Sequence, residues 1–138
     1  MTLDILVVDD NAPALSAVVT ALTHAGHSAI GAPSFRDGIR ALTTTTPDLL
    51  ISSLRLGPFN GLHLVMRGRA EHPGLPAILI GPPSEVVARE ARALGAAVYL
   101  TQPIDLDALT AAVAEFRDLA AEAGCGLDVS NLPVLLER

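Results

Sequence analysis

Short apolar runs alternate along this chain with longer stretches in which apolar residues recur every three or four positions. The runs fall at Leu3–Asp9, Ser28–Ala32, Asp48–Ser53, Pro76–Ile80 and Ala96–Thr101. They are rich in Val, Ile and Leu with little polar alternation, which predicts strands covered on both faces. Between them, Leu15, Val18, Val19 and Leu22 recur at helical spacing. Asn11 can cap that helix, Pro13 is tolerated in its opening turn, and Gly26 ends it. Ser34 opens a second helix with Ile39 and Leu42 on one face, and Leu62, Val65 and Met66 mark a third. Ser84 caps a fourth, which carries Val87, Ala91 and Leu94 before Gly95. The fifth spans about Asp105 to Ala123, where Leu106, Leu109, Val113, Phe116 and Ala120 form one apolar stripe.

Five βα units in succession predict an α/β fold, a parallel sheet with helices on both faces. Right-handed crossovers leave few topologies. The expected one is the flavodoxin-like doubly wound sheet, order 2-1-3-4-5 in the predicted strands. Sites in such sheets lie outside the carboxyl ends of the strands. Asp9, Asp10, Ser53, Gly81 and Gln102 all fall there.

Composition narrows the picture. At 138 residues the chain is one domain with room for a substantial core. With three Phe, one Tyr and no Trp, that core must be aliphatic. The net charge of −6 offers no footprint for nucleic acid. All nine cations are arginines. No signal peptide or membrane span is visible, since Met1 leads directly into the first strand, which points to the cytoplasm. The single cysteine, Cys125, rules out an internal disulfide framework. Gly124-Cys125-Gly126 breaks the last helix, which sets a domain over 1–123 and an apolar tail over 124–138. The tail is too short for a DNA-binding output domain. It can fold back, dock elsewhere, or begin a linker.

Three segments carry a resemblance: Ile5–Val8 followed by Asp9-Asp10, Pro47–Ser53, and Ala97–Pro103. Together they resemble the receiver domain of bacterial response regulators, CheY-like in fold, over roughly residues 3–120. In that family an acid pair binds Mg²⁺ beside a phosphoaccepting aspartate. Clustered carboxylates suit such a hard cation, and the metal and a lysine offset the phosphoryl charge. The resemblance implies that Asp9 and Asp10 are the acid pair. Ser53 stands where the acceptor aspartate is expected, Gly81 where the switch hydroxyl is expected, and Gln102 where the lysine is expected. Tyr99 matches the switch aromatic, Gly61 the glycine after the acceptor strand, and Pro103 a proline that commonly follows a cis peptide. Pro58 lies one residue later than the family's proline.

The resemblance therefore implies a degenerate, non-enzymatic receiver: a phosphorylation-independent interaction module in a two-component-type pathway. Its expected partners are other signalling proteins, such as a histidine kinase or another response regulator, or a second copy of itself. The family's pairing face would present Arg89 and Arg92 from the fourth helix and Asp107 and Asp118 from the fifth. Tyr99 would lie at its centre if it points outward. The alternative is a small-ligand sensor using the sheet's carboxyl edge. No glycine-rich phosphate loop follows the first strand, which argues against nucleotide. No cofactor is expected, although Asp9 and Asp10 leave a weak Mg²⁺ site open. Ser53 has no matching histidine to activate it as a nucleophile. His24 and His27, three residues apart, could pair on a metal, but interaction with a helix C-terminus is the commoner use. His63 and His72 are expected at the surface.

Overall fold

The structure, a computed structural model, describes residues 2–123. The tail, with Cys125 and the proposed uses of 124–138, lies outside the described residues. The elements run β1 (Asp4–Val8), α1 (Ala12–His24), β2 (Ser28–Ala32), α2 (Phe35–Thr44) and β3 (Leu49–Ser53), then β4 (Arg55–Leu56) and β5 (Phe59–Asn60). They continue with α3 (Gly61–Glu71), β6 (Ala77–Gly81), α4 (Glu85–Ala93), β7 (Val98–Thr101) and α5 (Leu106–Ala123). Five strands form one sheet, ordered β2-β1-β3-β6-β7, and every pairing within it is parallel. This is the expected doubly wound topology.

The period of two along each strand divides the core. Ile5, Val7, Leu49, Ile51, Ile78, Ile80, Val98 and Leu100 pack with Leu22, Leu109, Val113 and Phe116 on one face. Leu6, Val8, Leu50, Leu79 and Tyr99 pack on the other with Leu42, Leu64, Val65, Ala88 and Ala91. The helices start where the sequence expects. The side chains of Asn11, Ser34 and Ser84 accept from Ala14, Asp37 and Val87 N–H groups, satisfying donors that a helix start leaves open. Gly26 and Gly95 carry positive φ values of 94° and 117° at helix ends, a conformation glycine adopts without a Cβ penalty.

Several expectations are corrected. Asp9 leaves the first strand, and Asp48, Pro76 and Ala96 precede theirs. β2 is an edge strand and is not covered on both faces, since Ile30 is 53% exposed. Met66 and Leu94 are exposed rather than core. The hairpin β4–β5 was not expected. Its antiparallel pairs are Arg55 with Asn60 and Leu56 with Phe59. Gly57 opens the two-residue turn with φ 62°, as hairpin turns with a positive first central residue require. His72 is half-buried, its Nε2 2.6 Å from the Leu42 carbonyl oxygen. His27 is buried, and its Nδ1 accepts from the Leu3 N–H at 3.2 Å. That nitrogen is engaged, so His24 and His27 do not form the suggested metal pair. Among the described residues no helix is long and apolar enough to cross a membrane.

Candidate functional site at the carboxyl edge of the sheet

The register of the sheet gathers the candidate residues. Val8 pairs with Ser52, Ser53 with Ile80, and Gly81 with Thr101. Asp9 and Asp10 therefore follow β1 at the level where β3 ends in Ser53. Gly81 ends β6, and Gln102 follows β7 with its N–H on the Gly81 carbonyl at 2.8 Å. The Gln102-Pro103 peptide is cis, as expected.

The two carboxylates are both engaged by backbone. Asp9 Oδ1 accepts from the Asn11 N–H at 2.9 Å. Asp10 Oδ2 accepts from the Gly57 N–H at 2.7 Å. This second bond ties the acid pair to the β4–β5 hairpin. The same hairpin is tied to α2 by the stacking of Phe59 on Phe35, with ring centroids 4.7 Å apart and planes at 13°. Burial raises the Asp9 carboxyl above its usual range, the Asn11 N–H opposes this, and the Asp10 charge adds to it. Each carboxylate thus has an oxygen committed to an amide. Ser53, beside them, brings only a neutral hydroxyl. Among the described residues no group of three or more His, Cys, Asp or Glu side chains is placed to hold a metal. Two carboxylates and a hydroxyl match poorly the clustered oxygen charge that a resident divalent cation uses.

Ser52 and Ser53 are both buried, and Ser52 Oγ donates to the Ser53 carbonyl oxygen at 2.9 Å. Gly61 seats against the same carbonyl. A Cβ there would overlap the Ser53 oxygen and come within 2.9 Å of Ser52 Oγ. The Gly61 N–H bonds the Leu54 carbonyl at 2.7 Å. The glycine lets the hairpin close onto the end of β3, a close backbone approach rather than a positive φ.

Tyr99 is only 3% exposed. Its hydroxyl donates to the Pro82 carbonyl oxygen at 2.6 Å, and burial raises its pKa. The condition for its forming the centre of a pairing face, an outward ring, is therefore not met. Val86 of α4 is 71% exposed. Arg89 and Asp107 are exposed, and Asp118 holds the Arg117 guanidinium at 3.2 Å. Between α4 and β7 runs a groove of about 430 Å³, lined by Ser84, Glu85, Ala88, Arg92, Tyr99 and Thr101 among others. It includes none of Asp9, Asp10, Ser53 or Gln102. The hairpin and its aromatic stack escaped the sequence reading. The signal available was the Gly57-Pro58 step between Leu56 and Phe59.

Residues 5–114 match the model of the response regulator receiver domain. The chain is 34% identical over 122 residues to the transcriptional regulatory protein GlrR of Escherichia coli, covering 86% of this chain and 27% of that protein. It is 37% identical over 108 residues to the DNA-binding transcriptional regulator NtrC of Klebsiella pneumoniae, covering 78% and 23%. The chain thus spans about a quarter of the length of these relatives. A CheY-like receiver domain protein from Methanospirillum hungatei superposes with a TM-score of 0.82 at 22% identity, covering 90% of this chain and all of that one, a likeness of fold. NtrX from Brucella abortus gives 0.80 at 25% identity, covering 89% and 29%.

Proposed function

The chain belongs to the response regulator receiver domain family, and from that premise we propose that it is a receiver whose signalling does not depend on aspartyl phosphorylation. The receiver unit is assigned to residues 1–123, with 124–138 a segment outside it. The observation that carries the reading is Ser53, a buried hydroxyl closing β3 at the level of Asp9 and Asp10. A serine there offers no carboxylate to form an acyl phosphate. Gln102 and Gly81 support the reading, since neither supplies the cation or the hydroxyl that would hold phosphoryl oxygens.

A phosphoryl group acts on a receiver as a ligand that shifts a two-state balance. Without it, the balance is set by sequence or by a bound partner. The module then works by presenting a surface to other signalling proteins in the cytoplasm, such as a histidine kinase, another response regulator or a second copy. We assign that surface to α4, β7 and α5, with Val86 rather than Tyr99 as its exposed apolar residue and with Arg89, Arg92, Asp107 and Asp118 around it. Residual Mg²⁺ binding at Asp9 and Asp10 is not needed.

The test is incubation with acetyl phosphate and Mg²⁺ followed by intact mass measurement. No acid-labile gain is expected. An acid-labile gain of one phosphate overturns the proposal.

A further inference from the structure

Gly81 is a glycine for reasons of space. Its φ is not positive; among the described residues the positive values belong to Gly26, Gly57, Gly74 and Gly95. A Cβ on residue 81 would overlap the Tyr99 hydroxyl and approach Leu54 Cβ and Cδ2 at 3.1 and 3.2 Å. The strand register explains the collision. Leu79 pairs with Tyr99 and Gly81 with Thr101, so the tyrosine ring lies toward residue 81 and its hydroxyl reaches the Pro82 carbonyl. That acceptor sits in Pro82-Pro83, where both φ angles are restricted by pyrrolidine rings.

From this packing we infer that Gly81 and Tyr99 are a matched pair that holds the tyrosine inward in one constitutive state, giving the α4–β7 groove a single shape without any covalent ligand. Two terms act together. With the ring inward and its hydroxyl on the Pro82 carbonyl, a Cβ at residue 81 has no room unless the tyrosine shifts. An outward ring would leave a void beside Leu54 that nothing at residue 81 could fill, and would remove the hydroxyl from the Pro82 carbonyl. Packed interiors do not tolerate such voids cheaply. The inference goes beyond the reading of Ser53 and does not need it.

The chain has one tyrosine and no tryptophan, so tyrosine fluorescence reports on Tyr99 alone. In the wild type, acrylamide should quench this emission several-fold less than in the urea-unfolded chain. Gly81→Thr should raise quenching several-fold with the far-UV circular dichroism unchanged. A folded Gly81→Thr protein with its tyrosine still as shielded as in the wild type overturns the inference. If Gly81→Thr does not fold, a double-mutant cycle decides. Gly81→Ala should lower Tm by about 5 °C or more in the wild type, and by less than half as much in Tyr99→Phe. Equal losses in the two backgrounds overturn it. A wild-type protein that takes up phosphate while its tyrosine stays shielded overturns the reading of Ser53 and upholds this one.

Discussion

Replacing His27 with alanine should destabilise the domain and also remove a specific pH dependence. His27 follows the first helix and is 7% exposed. Its Nδ1 is the acceptor for the Leu3 N–H at 3.2 Å, and Leu3 is itself buried. The next link is backbone, from the Ser28 N–H to the Leu3 carbonyl at 3.0 Å. The imidazole therefore fastens the start of β1 beside the start of β2. Truncation leaves a buried amide without a partner, a cost of about 1–3 kcal/mol. For a domain of this size that corresponds to a fall in Tm of roughly 3–10 °C. An accepting Nδ1 must be unprotonated. Burial holds the His27 pKa below 6.5, helped by the charges of Arg117 and the N-terminal amine. The folded state thus binds this proton less readily than the unfolded state does. The contribution of His27 is full above pH 6.5 and declines as pH falls below it, until the lowered folded pKa is passed. Thermal melts of wild type and His27→Ala at about pH 8, 6.5 and 5.5 test this around the ordinary histidine pKa. The gap between the two proteins should narrow as pH falls. Their difference cancels every pH effect that the two proteins share. A gap that stays constant or widens on acidification refutes the reasoning.

Three further outcomes are expected. Gly61→Ala should cost about 1–3 kcal/mol in denaturant melts, because its Cβ must displace the Ser53 carbonyl; an unchanged midpoint would show that the hairpin yields freely. Ser53→Asp alone should take up little phosphate from acetyl phosphate, and Ser53→Asp with Gln102→Lys should take up more by intact mass. Adding Gly81→Thr should raise uptake further, since the threonine takes the space that a displaced Tyr99 vacates. If the protein dimerises, light scattering should find Val86→Glu and Arg92→Glu monomeric, because each places a carboxylate on the proposed face; variants that dimerise like the wild type move the interface elsewhere.

The order and type of the main elements were legible in the amino-acid pattern alone. Strands buried on both faces must be continuous aliphatic runs, and amphipathic helices must repeat every three to four residues, so both leave a signal in one dimension. With right-handed crossovers the strand order followed, and with it the gathering of Asp9, Asp10, Ser53, Gly81 and Gln102 at one edge. The caps Asn11, Ser34 and Ser84 were legible because capping is local chemistry. What lay beyond the sequence depended on contacts between residues distant in the chain. The bond from Gly57 to Asp10 joins residues 47 positions apart. The stack of Phe35 on Phe59 and the tie of Leu3 to His27 are likewise long-range. The orientation of Tyr99 was hidden for a related reason. In β7, Val98, Tyr99 and Leu100 are all buried, so the pattern gives no clue to which face each side chain takes. Only the register of β7 against β6 placed the tyrosine over Gly81 and turned an apparent surface aromatic into the plug beside the sheet's carboxyl edge.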